Sequence, residues 1–371
     1  MKRLFFLLFL ALFVSASLTT GCTSQTPSEQ TDGDGGTKDG GAKFKALSAD
    51  GYTTVSDVNS HNKVPADIGE IKALLDKSPV DWDAVQKMYE KGKHSVKGDG
   101  SVRTLNGFAS KPDNFKKYSP DASAYFATNN ICKLEPVQDF KCTDGKFLDE
   151  LIEFYAMKGT GPFKGASDAI RGAVVKAGLL VNMHYWVRLE FGKAIGKAKD
   201  GNVEPLKGAP HNWDEAFAFY WGPEGKDSLY ALAAELSSKH KLGTSINKAF
   251  FESLVAGLKV MTDDKKEPQA DTDKATKQLH RLFILALLDT AKAMDDTSDA
   301  DARLVLRWKG FAYWHAVGHL FAADSNADTA LKDVFFTGKV TKDFAAAVQK
   351  AVSDNLSKLG YTKDDFGTAL P

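Results

Sequence analysis

Apolar residues recur along most of this chain at the three-to-four-residue spacing of amphipathic helices. Ile68, Ile71, Leu74 and Leu75 share one face of ADIGEIKALLDKS. In DWDAVQKMYEKGK, Asp81 can cap a helix that turns Val85, Met88 and Tyr89 inward. SVKGDGSVRTLNGFAS reads as loop, with glycines suited to tight turns. Residues 110–145 show no clean period, and 146–157 read as a short helix with Phe147, Leu148, Leu151, Ile152 and Tyr155 apolar. A long helix follows over 166–199. It is apolar on most sides, but Arg171, Lys176 and Arg188 interrupt it, which marks a buried helix rather than a membrane span. KDGNVEPLKGAP turns the chain into a helix over 211–221, stopped by Gly222 and Pro223. Further helices are expected over 227–239 (Asp227 as cap), 244–261, 275–294, 299–321 and 343–359, with MTDDKKEPQADTD a charged, solvated loop. No stretch alternates strongly enough to build a sheet. The pattern predicts an all-α, multi-helix bundle. AFAFYW at 216–221 echoes GFAYWH at 310–315, each following a long apolar helix, and this suggests a duplicated helical hairpin.

The first residues stand outside that pattern. Lys2 and Arg3 precede an apolar run from Leu4 to Val14, and LTTGC closes the segment. This is a secretory signal over 1–21, too short for a spanning helix. A cysteine directly after small residues resembles a lipobox, although Thr19 stands where leucine is usual, and it makes Cys22 the expected lipidated residue. Plain secretion with cleavage nearby is the alternative. Residues 22–45 are rich in Gly, Ser, Thr and Asp, and too poor in apolar surface to fold, so they read as a flexible tether. The folded part is then 46–371, an N-terminal portion over 46–165 and a helical bundle over 166–371. The expected location is the cell envelope, lipid-anchored on a periplasmic or extracellular face, with the outer membrane of a bacterium as the site.

Lys plus Arg number 48 and Asp plus Glu number 48, so the net charge argues against nucleic acid as a partner. Besides Cys22 the cysteines are Cys132 and Cys142, and in an oxidising compartment two so close in sequence are expected to form a disulfide. No nucleophile elbow, phosphate-binding loop or dinucleotide fingerprint is present, so catalysis is not the leading expectation.

The candidate chemistry sits on histidines. In GAPHNWDEAFAFYWGPE, His211, Asp214 and Glu215 occupy one helical turn beside an inward face of Trp213, Phe217 and Tyr220. An imidazole and two carboxylates so placed suit a metal ion. Acids in a first turn also favour the helix dipole, which is the competing reading. His315 and His319 lie four apart, a spacing that can hold one ion, without the glutamate of zinc proteases. Two hydrogen-bonded core histidines among aromatics would look the same. His184 is embedded in the apolar helix and is either a ligand or a structural histidine; Glu190, six residues on, does not share its face. His280 resembles His184 with a weaker setting, whereas His61, His94 and His240 lie in polar surroundings and are expected to be solvent-exposed.

Taken together, MYEKGKHSVKGDGSVRTLNGFAS, AIRGAVVKAGLLVNMHYW, GAPHNWDEAFAFYWGPEG and GTSINKAFFESL resemble the Fe-assimilating, low-iron-inducible periplasmic proteins, over about 68–318. The chain is also similar to helical imelysin-type proteins, whose GxHxxE element pairs a histidine with an acid three residues later. Here Pro210 precedes His211, and Asp214 takes the acid position. The resemblance implies a secreted helical protein that helps to capture iron, Fe2+ or Fe3+, outside the plasma membrane. By matching, His211, Asp214 and Glu215 become its metal contacts; His184, His315 and His319 are added from spacing alone. A permease or partner protein in the envelope is a candidate recipient. Two other readings stay open: an imelysin-like peptide- or partner-binding module without metal, and a metal-dependent hydrolase with Glu215 as general base.

Overall fold

The structure, a computed structural model, describes residues 44–129 and 145–371. Cys22, Cys132 and Cys142, and with them the expected lipid anchor and disulfide, lie outside the described residues.

The described chain begins with a strap that the apolar pattern does not announce. Strands β1 (Ser48–Ala49) and β2 (Tyr52–Thr53) pair antiparallel, Ser48 opposite Thr53 and Ala49 opposite Tyr52. Two residues per strand leave no alternation to read. The local mark is the Asp50-Gly51 turn, with φ of +46° and +85°, a conformation that this residue pair adopts at little cost. A 3-10 turn, His61–Lys63, then leads into α1 (Val64–Leu75) and α2 (Trp82–Lys91). Asp81 caps α2, accepting from the Ala84 N–H at 3.0 Å. Two short helices, Pro112–Tyr118 and Pro120–Asn129, occupy the stretch without a period; each opens on a proline, whose fixed φ suits a first turn. The helix expected over 146–157 is present, but most of it is a wide π-helical turn, Glu150–Met157.

The axis of the fold is α3 (Asp168–Lys199), capped by Ser167. It packs against α4 (Ala209–Trp221), against the π-helical turn and against α8 (Ala300–Val317). Between them run α5 (Leu229–Lys239), α6 (Ile246–Thr262) and α7 (Gln269–Asp296). α7 lies between α6 and α8 and carries α10 (Phe344–Ser353), which pairs with α9 (Ser325–Phe335). Two long helical hairpins, α3–α4 and α7–α8, therefore meet through α3 and α8. The echoed segments 216–221 and 310–315 lie on the second helix of each. The architecture is the all-α, multi-helix bundle that the period implies.

Some boundaries differ, for identifiable reasons. Ser228, not Asp227, is the cap of α5; Asp227 stands outside the helix at φ +50° and pairs with Lys72 at 3.0 Å. α7 starts at Gln269 because its polar first turn, which buries Asp271 and Thr272, carries no apolar period. α8 ends at Val317, whose φ of −134° and ψ of −6° are not helical, and a 3-10 turn, Gly318–Phe321, follows. α9 was not expected at all.

One apolar cluster unites these elements. Within it α4 and α6 approach closely. Trp213 is fully buried and donates its Nε1–H to the Leu254 carbonyl at 2.9 Å, and a Cβ at Gly257 would overlap the indole. That contact fixes α4 and its first turn against the core. Among the described residues no helix is long and apolar enough to cross a membrane.

Candidate functional site

The start of α4 has Pro210 in its first turn, where a missing N–H costs nothing, and sets His211, Asn212, Asp214 and Glu215 within two turns. His211 and Glu215, one turn apart, pair Nε2 to Oε1 at 3.1 Å. The same oxygen is reached from the other side by His61 Nε2 at 3.0 Å, brought in by the 3-10 turn that precedes α1. The two rings stand edge-on, with centroids 6.1 Å apart. From α3 comes Glu190. Asn212 ties it in, its Nδ2 donating to Glu190 Oε2 at 2.7 Å and to Glu215 Oε2 at 2.9 Å. Lys193 lies 3.1 Å from Glu190 Oε1. His61, Glu190, Asn212 and Glu215 are all buried.

Protonation follows from these bonds. Ser56 has one hydroxyl hydrogen, which it donates to Asp214 at 2.7 Å, so it accepts from His211 Nδ1 at 2.9 Å. His211 Nε2 donates to Glu215. Both nitrogens carry hydrogen, and the ring is an imidazolium. Burial works against that charge, but the Glu215 carboxylate outweighs it and lifts the His211 pKa above the ordinary histidine value. His61 is neutral, because burial lowers its pKa more than Glu215 raises it. For Glu215 burial acts upward, yet the two imidazoles hold the carboxyl well below the usual range. Burial pushes the Glu190 pKa well up, with Lys193 opposing and Glu215 adding, which favours a proton on this acid beside the Glu215 carboxylate. Among the described residues, His61 Nδ1 and Asn212 Oδ1 are buried without a hydrogen-bond partner. Loss of the His211 and Glu190 protons would leave two imidazoles and two carboxylates converging, a donor set that suits iron.

Asp214 shares the helix but faces elsewhere. It receives the Tyr52 hydroxyl at 2.6 Å, the Val55 N–H at 2.9 Å, and both the N–H and the hydroxyl of Ser56 at 2.8 and 2.7 Å. Its carboxyl is pushed up to about 6 by burial, against the pull of these bonds. Its oxygens are occupied in clamping the strap to α4.

The other candidates fall in two further places. His184 lies beside His280 of α7, ring centroids 5.6 Å apart, and His280 beside His319 at 5.7 Å. His315 is separate. Its Nδ1 lies 2.9 Å from the Phe311 carbonyl, and its ring stacks on Phe126 at 5.0 Å. His315 and His319 do not form an i, i+4 pair because the helix breaks at Val317 between them. The expectation of exposed histidines also fails. His61 is buried against Phe219, His240 is buried and bonded to Asp289 at 2.8 Å, and half-buried His94 meets Glu70 at 2.7 Å.

Among the described residues, Asp67, Glu70 and His94 bring one ligand atom each within 4.8 Å of one another. These groups already bond among themselves and to Lys93: Asp67 accepts the His94 N–H at 3.1 Å, and Glu70 takes Lys93 Nζ at 2.5 Å. They close a loop end.

The residues that sequence reasoning misses are His61, Glu190 and Asn212. Glu190 had a signal: with Met183, Val187 and Ala194 it continues a buried stripe of α3, an acid where the period calls for an apolar residue. His61 had none, since its partners lie about 150 positions away in sequence.

No significant match was found among curated proteins or solved structures. A family model described as low iron-inducible periplasmic protein matches residues 42–369, and the chain belongs to that family.

Proposed function

We propose that this chain is an extracytoplasmic iron-binding protein of the cell envelope, held by a lipid at Cys22, that captures Fe2+ or Fe3+ and passes it to a permease or partner protein. The ligands are His61, His211 and Glu215, with Glu190 as a fourth. The observation that carries the reading is the single Glu215 oxygen held between two Nε2 atoms at 3.0 and 3.1 Å in a buried pocket. Two imidazoles and one carboxylate form a set that iron favours, and a second hard oxygen strengthens the preference. The family's low-iron induction points the same way. Asp214 is a positioning residue in this reading, since it holds the strap that delivers His61. The role is capture and hand-over rather than turnover.

Titration calorimetry of the metal-free protein with Fe2+, Fe3+, Zn2+ and Cu2+ tests it. His61→Ala and Glu215→Gln are each expected to weaken iron binding by at least about 100-fold, while wild type releases protons on binding. Iron affinity equal to wild type in both variants would overturn the assignment.

A second reading has one observation in its favour. A cleft of about 560 Å³, lined among others by Lys72, Lys176, Glu235, Asp289 and Lys309, lies between α1, α3, α5, α7 and α8. Its mixed charges suit a peptide or partner segment, and it shares no lining residue with the Glu215 pocket.

A further inference from the structure

A second polar cluster lies in the bundle, unused by the iron pocket. His184 and Arg188 stand one turn apart on α3, His280 reaches in from α7, and His319 from the 3-10 turn after α8. The rings form a row, His184 to His280 at 5.6 Å and His280 to His319 at 5.7 Å between centroids. His184 has no exposed surface. Both of its ring nitrogens, His280 Nε2, His319 Nδ1 and Arg188 Nη1 are buried without a hydrogen-bond partner among the described residues. Unpaired buried nitrogens are rare and costly, and five so close together call for a partner that accepts from them. His280 and His319 are only partly buried, so the row runs from the core toward the surface.

The ligand can be a cation or an anion, and two observations decide. A metal ion bound by imidazoles at about 2.0–2.1 Å draws its ligand nitrogens within roughly 3.5 Å of one another. Among the described residues these three rings do not bring one nitrogen each within even 4.8 Å; His61, His211 and Glu215 do not either, but there a carboxylate oxygen already holds both imidazoles at 3.0 and 3.1 Å, and the row has no carboxylate to draw its rings together. An oxyanion accepts hydrogen bonds at about 2.8–3.0 Å on several oxygens, so its donors stand further apart. The second observation is charge. Arg188 leans over the Tyr185 ring at 5.6 Å and forms no ion pair among the described residues; Asp121 acts on it only at a distance. A fixed guanidinium repels a metal ion and gives an anion a charge-assisted bond. Burial and this same charge keep the three imidazoles neutral, each with one N–H to donate.

We propose that Arg188, His184, His280 and His319 bind a small oxyanion, a carboxylate or a phosphate. Arg188 supplies the charge and the rings supply neutral donors. The site is separate from the iron pocket, and neither assignment depends on the other.

The test is thermal unfolding and calorimetry of the metal-free mature chain with inorganic phosphate in one arm and citrate in the other, against chloride at equal ionic strength. Saturable stabilisation by phosphate, citrate or both is expected, and the stronger arm identifies the oxyanion class. Arg188→Gln and, at the partly buried middle of the row, His280→Ala are each expected to weaken that binding at least tenfold while iron affinity stays within twofold of wild type. If Arg188→Gln does not fold, His280→Ala decides. Wild type indifferent to both oxyanions, unchanged oxyanion affinity in the folded variants, or a Zn2+ site lost in His280→Ala would overturn the proposal.

Discussion

Asp214 and Glu215 are adjacent in sequence and opposite in character. Consecutive residues on a helix point about 100° apart, and here that rotation sends one carboxylate into hydrogen-bond donors of the strap and the other between two imidazoles. Sequence reasoning places both acids on the correct turn but cannot choose between them, because the choice depends on a strap joined to α4 only in the fold. The same difficulty affects His315, whose spacing to His319 looks like a ligand pair. Its burial instead makes a clear acid-stability prediction. Burial lowers the His315 pKa to about 4, opposed by the Phe311 carbonyl, against an ordinary value of 6.5. The unfolded chain therefore takes up this proton first. The residue's contribution is complete above about pH 6.5 and is lost as pH falls from there toward 4, amounting to about 2 kcal/mol at pH 5. His211 and Asp214 have raised pKa values and act in the opposite direction, but they are present in any His315 variant and cancel. Denaturant melts at pH 7 and pH 5 should show His315→Phe losing about 2 kcal/mol less than wild type over that interval. Equal losses would mean that the ring is protonated in the folded protein.

The long helices were legible because their apolar stripes repeat over many turns. The strap was not, because two-residue strands cannot show a period and its stability comes from α4. Asp214 is the anchor point, with Tyr52, Val55 and Ser56 all donating to it. Asp214→Asn removes the charge and sets an amide N–H₂ against those donors. It should cost about 1–3 kcal/mol and speed hydrogen exchange at the Val55 and Ser56 amides, while exchange in the core of α3 stays unchanged. Iron affinity should fall as well, although Asp214 is no ligand in the proposed site, because His61 follows only five residues after Ser56. Unchanged exchange at residues 55–56 would remove the strap from this account.

At the scale of the molecule, α3 touches both halves of the chemistry. Glu190 on one side of it enters the Glu215 pocket, while His184 and Arg188 on another belong to the histidine row. The hydrophobic pattern revealed the helix but not this division, since lone polar residues on an apolar helix read alike whichever neighbour they meet. A ligand bound only by the native state stabilises the whole fold by mass action. Iron at 100 times its dissociation constant should therefore add about 2.7 kcal/mol to wild type and almost nothing to Glu215→Gln, read as the shift in melting temperature. No shift in wild type would favour the cleft of about 560 Å³ as the working surface.

The order of the strap along the chain has a mechanical consequence. From the amino side, the backbone passes through the hairpin, then the Asp214 clamp, and only then reaches His61. With the anchor proposed at Cys22, a pull on the chain from its amino side would peel these elements away in that sequence. The imidazole would be withdrawn while the helices behind it stay folded, so a tug could empty the pocket without any change of pH or redox state.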